Sequence, residues 1–154
     1  MTFDPAASGW QARDVSGFND LIGPIWTKRE GERRVLGLTV EPKHLNRRGH
    51  IHGGVLASMA DNLLAVVAYA AVEPLPIATM QLNVHFVAPA QVGEFLEGRA
   101  DVVRATKSVI FLTGRLTVGS RVVAAADGIW KILQPRAKGS DAPVGEAEPL
   151  DPKS

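Results

Sequence analysis

One carboxylate stands alone in a long apolar run. Between Val55 and Val72 the only charged residue is Asp61. A carboxylate in such company loses its charge, finds a partner, or is retained for chemistry in spite of the desolvation cost. At helical spacing it shares a stripe with Gly54, Ala57, Ser58, Ala65 and Ala68, small residues that leave room for a ligand or for a second backbone. A close subunit contact with Asp61 bonded to a neighbouring amide would use the same stripe.

Just upstream, His52-Gly53-Gly54 places two amides without side chains at the start of that run. Unpaired N–H donors and the macrodipole make a helix N-terminus favourable for negatively charged oxygen. Such a terminus can serve as an oxyanion hole, although Gly-Gly alone often marks only a tight helix entry. A polarising amide and a carboxylate base or nucleophile are together the parts needed for attack on a carbonyl. Gly53 and Asp61 are eight residues apart. On one helix that is about 12 Å along the axis, too far for a single carbonyl to touch both. If both act on one group they come from two chains, and a two-fold dimer then holds two equivalent sites.

The elements that must position these residues follow from periodicity. A short helical stretch is expected around Ser16 to Ile22. Trp26 to Arg29 and Arg33 to Val40 read as a hairpin turning at Glu30-Gly31-Glu32. Glu41 to Ile51, rich in His, Asn, Gly and basic residues, reads as a loop. Gly53 to about Val72 is the one long helix, stopped at Glu73-Pro74-Leu75-Pro76 because proline supplies no amide donor. Next comes strict alternation: Ala78, Met80, Leu82, Val84 and Phe86 against Thr79, Gln81, Asn83 and His85, the pattern of a half-buried strand. Further strands are expected at about 92–103, 108–118 and 121–133, in consecutive hairpins and therefore antiparallel. The helix is apolar nearly all round and must be enclosed. A curved antiparallel sheet of about six strands around one central helix, in a single α+β domain spanning 1–134, satisfies this. Residues 1–22 form an N-terminal extension, and 135–154 read as a disordered tail with little apolar content.

Composition excludes several alternatives. The 17 basic and 16 acidic residues give no global field toward nucleic acid or an anionic membrane. The absence of cysteine removes disulfides, thiolate nucleophiles and cysteine-bound zinc, and suits a cytoplasmic protein. His44, His50, His52 and His85 lack a carboxylate set to complete a metal site. No phosphate-cradling glycine motif is present. Asp61 would carry a cost of roughly 2.5–3.5 kcal/mol at a bilayer centre, so the long helix is expected in a soluble core and no membrane partner is expected.

The run Asn46-Arg47-Arg48-Gly49-His50-Ile51-His52-Gly53-Gly54, Asp61 nine residues after His52, and Thr79 in a strand ending Phe86-Val87-Ala88-Pro89-Ala90 resemble the hot-dog thioesterases of the phenylacetate-pathway type. The resemblance covers roughly Val35 to Leu133. It implies hydrolysis of an acyl- or aryl-CoA thioester, with Gly53 donating its amide to the carbonyl, Asn46 helping to hold it, and Asp61 acting on water or on the carbonyl carbon. It places Thr79 beside the water and makes His52 a shaper of the loop. Gly54 and Ser58 would line the substrate, and Arg104 and Lys107 are candidate phosphate ligands, with Arg47, Arg48, Arg136 and Lys138 as further cations. Coenzyme A would be part of the substrate, with no separate cofactor and no metal. The resemblance also implies a homodimer, commonly paired into a tetramer. A non-catalytic acyl-CoA-binding protein and a hydratase or dehydratase on the same fold are the alternatives.

Overall fold

The computed structural model describes residues 3–134, so the expected tail at 135–154 lies outside the described residues. Seven antiparallel strands form one sheet: β1 (Gln11–Ala12), β2 (Ile25–Glu30), β3 (Arg33–Thr39), β4 (Ile77–Phe86), β5 (Phe95–Ala105), β6 (Val109–Val118) and β7 (Arg121–Ile132). Their order is β1-β2-β3-β5-β6-β7-β4. The helices are α1 (Phe18–Ile22) and α2 (Gly53–Val72). The expected α+β architecture, one long helix on one antiparallel sheet, is present. The seventh strand is the two-residue β1, paired to β2 through Gln11↔Thr27 and Ala12↔Trp26, too short to leave a period in the sequence.

Strands β3 to β7 pack on α2. Leu56, Met59, Ala60, Leu63, Leu64 and Ala68 form the helix face buried against Leu36, Leu38, Leu96, Ile110, Leu112, Leu116 and Trp130. Burial of one such large side chain stabilises by about 1.5–3 kcal/mol. The chain does not enclose the other face of α2: Ala57, Ser58, Asp61, Asn62 and Ala65 are only partly covered. The expectation of a buried Asp61 is therefore corrected within one chain, because the sheet curves around the Leu56–Leu63 side and leaves the carboxylate side open. A separate aromatic cluster, Trp10, Val35 and Phe95 with Trp26 against it, ties the N-terminal segment to the sheet. Trp10 meets Phe95 edge-on at 5.0 Å, and a side chain at Gly37 would collide with the Phe95 ring.

The alternation expected along β4 breaks at its middle. Pairing with β7 runs Ile77↔Ile132, Ala78↔Lys131 and Thr79↔Trp130, and then resumes at Gln81↔Ile129, leaving Met80 as a bulge. One inserted residue reverses the facing of everything before it. Thr79 thus lies on the same side as Leu82, Val84 and Phe86, and Ala78 turns away from them. Met80 is 59% exposed rather than part of an apolar file.

Candidate active site

The loop before α2 is built around two side chains. Asn46 Oδ1 accepts from the Arg48 amide at 2.8 Å and the His50 amide at 3.4 Å, while the Asn46 carbonyl accepts from Gly49 N–H at 3.0 Å. Gly49 sits at φ +79°, a conformation favouring glycine, to complete the turn. Because Oδ1 is engaged, the Asn46 Nδ2 group is left as the free donor; no hydrogen bond among the described residues uses it. His52 is the N-cap of α2, its Nδ1 accepting from the Gly54 amide at 2.8 Å. An accepting Nδ1 places the ring proton on Nε2 in the neutral imidazole.

That cap corrects one expectation. Gly54 does not offer its amide to a ligand, because His52 holds it. A side chain at Gly54 would stand 3.0 Å from His52 Nδ1, so the glycine serves the cap. Among the described residues no hydrogen bond engages the Gly53 amide, the remaining donor at the helix start. The Phe86 ring lies over Gly53, and a Cβ added to that glycine would stand only 3.2 Å from Phe86 Cζ. Asn46, Arg48, His50, Gly53, Leu56 and Phe86 line one cleft of about 400 Å³. His50 Nδ1 is a buried atom with no hydrogen-bond partner among the described residues.

A second cleft, of about 480 Å³, opens on the uncovered side of α2 and is lined by Ser16, Phe18, Asn19, Ala57, Ser58, Asp61, Asn62 and Leu82. Thr79 Oγ1 donates to Asp61 Oδ1 at 2.9 Å, which leaves Oδ2 without a protein donor among the described residues. The β4 bulge makes this bond possible by turning Thr79 toward α2. Ser58 Oγ donates to the Gly54 carbonyl one turn back at 2.8 Å, so its lone pairs, not its proton, face a ligand.

Asn46 and Gly53 thus share one cleft and Asp61, Thr79 and Ser58 the region of the other, at two stations along a single unbroken helix. Arg104 lies in β5 opposite Phe111, and Lys107 in the turn that follows; neither lines either cleft. Arg47 and Arg48 stand in the loop beside Asn46 and His52. Arg136 and Lys138 fall outside the described residues.

The loop also depends on His44, 1% exposed. Its Nδ1 accepts from the Glu41 amide and its Nε2–H donates to the Ile22 carbonyl, both at 2.9 Å. Burial pushes its pKa below the ordinary value, outweighing the opposing effect of the Ile22 bond. The His44 carbonyl in turn accepts from His52 N–H at 2.7 Å. This histidine therefore joins α1 to the residue that caps α2. In the sequence His44 stands out only as a possible metal ligand and Phe86 only as part of an alternating, family-like strand, and no spacing gives Phe18, Asn19 or Asn62 a role in the site. Their contacts join residues far apart in the chain and leave no spacing signal.

Residues 48–125 match the family described as the thioesterase superfamily. A Pseudomonas aeruginosa protein provisionally named an esterase is 34% identical over 115 residues, covering 73% of this chain and 86% of its own length. Mouse acyl-coenzyme A thioesterase 13 is 26% identical over 104 residues, covering 67% of this chain and 74% of its own. Among solved structures, the Escherichia coli PaaI protein from the phenylacetic acid degradation operon superposes with a TM-score of 0.64 at 24% identity, over 71% of this chain and 80% of that one. The family match runs from Arg48 in the loop through the Asp61 helix and β4, β5 and β6 into β7, and the chain belongs to the thioesterase superfamily, with its hot-dog fold.

Proposed function

We propose that this chain hydrolyses an acyl- or aryl-CoA thioester to the free acid and coenzyme A, as a homodimer in which each site joins the Gly53 cleft of one protomer to the Asp61 cleft of its partner. The observation that carries the reading is the Thr79 Oγ1 to Asp61 Oδ1 bond, which orients a solvent-reachable carboxylate and leaves one oxygen unengaged. The names borne by the mouse and P. aeruginosa relatives support a thioester or ester as the substrate.

The thioester carbonyl accepts from the Gly53 amide and from Asn46 Nδ2. Asp61 Oδ2 takes a proton from water as the water oxygen bonds to the carbonyl carbon. Negative charge developing on the carbonyl oxygen is stabilised by the two donors and the α2 dipole. The tetrahedral intermediate collapses with loss of the C–S bond, and the proton held by Asp61 passes to the departing thiolate. Direct attack by Asp61 through an anhydride is the covalent variant of the same geometry. Arg47 and Arg48, beside the Gly53 cleft, are better placed for coenzyme A phosphates than Arg104 and Lys107. A cytoplasmic site of action accords with the absence of cysteine.

A thioester panel with thiol release as the readout tests this. The wild type is expected to turn over at least one acyl- or aryl-CoA, and Asp61→Asn to reduce kcat by about 10²–10⁴-fold, the range of a positioned base. Full turnover in Asp61→Asn would remove Asp61 from the mechanism. Binding without thiol release would favour a non-catalytic acyl-CoA protein, and water addition to an enoyl-CoA would favour a hydratase.

A further inference from the structure

The segment from Arg13 to Ile22 crosses the open face of α2 while adding almost nothing to the core. Its ends are pinned: Arg13 N–H donates to the Ile25 carbonyl at 2.8 Å, and the Ile22 carbonyl accepts from His44 Nε2–H at 2.9 Å. Of α1, only Ile22 is buried; Phe18 is 61% exposed and Leu21 72%. A five-residue helix is far too short to persist on propensity alone. Its middle is held by a reciprocal amide pair, Asn19 Nδ2 to Asn62 Oδ1 at 3.0 Å and Asn62 Nδ2 to Asn19 Oδ1 at 2.9 Å. Asn62 also donates to the Ser58 carbonyl at 2.9 Å, which fixes its rotamer on α2.

Asn62 adjoins Asp61, so the strap is latched one residue from the carboxylate. The Phe18 ring is carried on the same strap, and with Leu82 and Ala57 it gives the Asp61 cleft apolar walls. Among the described residues no lysine or arginine lines this cleft, and the one charged group there is Asp61. An uncharged acyl or aryl group gains there by burying apolar surface, whereas a terminal carboxylate would meet Asp61 with no cation among the described residues of that cleft's own lining, Arg47 and Arg48 being left to the coenzyme A phosphates in the proposed mechanism.

We infer that the N-terminal strap selects the acyl group: Phe18 and Leu82 form the walls on which an uncharged acyl or aryl group rests beside Asp61, and the Asn19–Asn62 pair sets the distance of the strap from α2. Phe18 is the specificity-determining residue, and Asn19 and Asn62 are positioning residues. This rests on the thioester reading above.

The experiment compares kcat/KM for acetyl-CoA, a longer straight-chain acyl-CoA, an aryl-CoA and an ω-carboxyacyl-CoA of matched length. The wild type is expected to prefer the uncharged longer or aryl groups over the matched ω-carboxy compound. Phe18→Ala is expected to reduce the preference for the longer and aryl groups over acetyl by about tenfold, the scale of one lost apolar wall. Asn19→Ala and Asn62→Ala should shift the same ratio, and the double variant no further than either single one, because each removes the same pair. Leu21→Ala, on the same helix but off the cleft lining, should keep the wild-type ratio. Wild-type ratios in Phe18→Ala, equal shifts in Leu21→Ala, or a preference for the ω-carboxy group would overturn the inference. If the wild type hydrolyses nothing, the thioesterase reading fails separately. Equilibrium binding of the same panel to wild type and Phe18→Ala then decides the strap, with unchanged relative affinities counting against it.

Discussion

At the scale of single residues, the start of α2 divides its amides between structure and chemistry. His52 Nδ1 takes the Gly54 amide, and Gly53 keeps its own. Asparagine is also a strong N-cap, so His52→Asn is expected to retain most of the stability, whereas His52→Ala should lose about 1 kcal/mol in a denaturant titration. If His52 acts only as a cap, kcat in His52→Asn stays near the wild-type value. A large loss of kcat with stability intact would make His52 a proton carrier. Gly53 permits an unusually direct test, because it occupies the first helical position, where proline is well tolerated. His52 already has the extended ψ of 136° that a residue before proline prefers. Gly53→Pro should therefore fold, with Phe86 giving way by a few tenths of an ångström, and lose roughly 10²–10³-fold in kcat through deletion of one oxyanion donor. Near-wild-type turnover in a folded Gly53→Pro would mean that this amide does not polarise the carbonyl.

At the scale of elements, legibility followed the range of the contacts that decide each one. The bounds of α2 could be read because the Gly53-Gly54 entry and the prolines beyond Val72 are local signals. The strands β5, β6 and β7 were likewise legible, from the short turns that join them. The phase of β4 was not: its residues alternate without interruption, and only the pairing partner reveals that Met80 is extruded. Thr79 stands out in the sequence only by its place in the family pattern, and its reach to Asp61 depends on that bulge. The strap was legible as a short helix, but its latch depends on Asn62, 43 residues from Asn19. The loop before α2 depends on His44, whose pKa is depressed below the ordinary 6.5 by burial. The neutral form is favoured in the folded state, so His44 contributes its full stability above about pH 6.5. That contribution is lost as the pH falls and the unfolded chain takes up a proton the folded one refuses. Chemical denaturation at pH 7.5 and 5.5 should show a loss of stability on acidification, reduced in His44→Gln. An unchanged pH dependence in that variant would show that other groups set the acid limit.

At the scale of the whole molecule, β4 forms a sheet edge on one flank, and α2 exposes its Asp61 face beside it. Phe86 is 59% exposed at the end of that strand. These features are available to the proposed association of two copies, in which the separation of Gly53 from Asp61 along α2 would make each site draw on both chains. The two clefts on one helix have a genetic consequence. Chains carrying Asp61→Asn and chains carrying Gly53→Pro should each be inactive alone, yet mixed and allowed to re-pair they should recover activity. In a hybrid dimer one site collects both lesions, and the other collects none. Random pairing of equal amounts leaves about a quarter of all sites whole. Two alleles that each abolish function would thus complement each other in a cell expressing both, and a failure to complement would place the two lesions in the same site of a single chain.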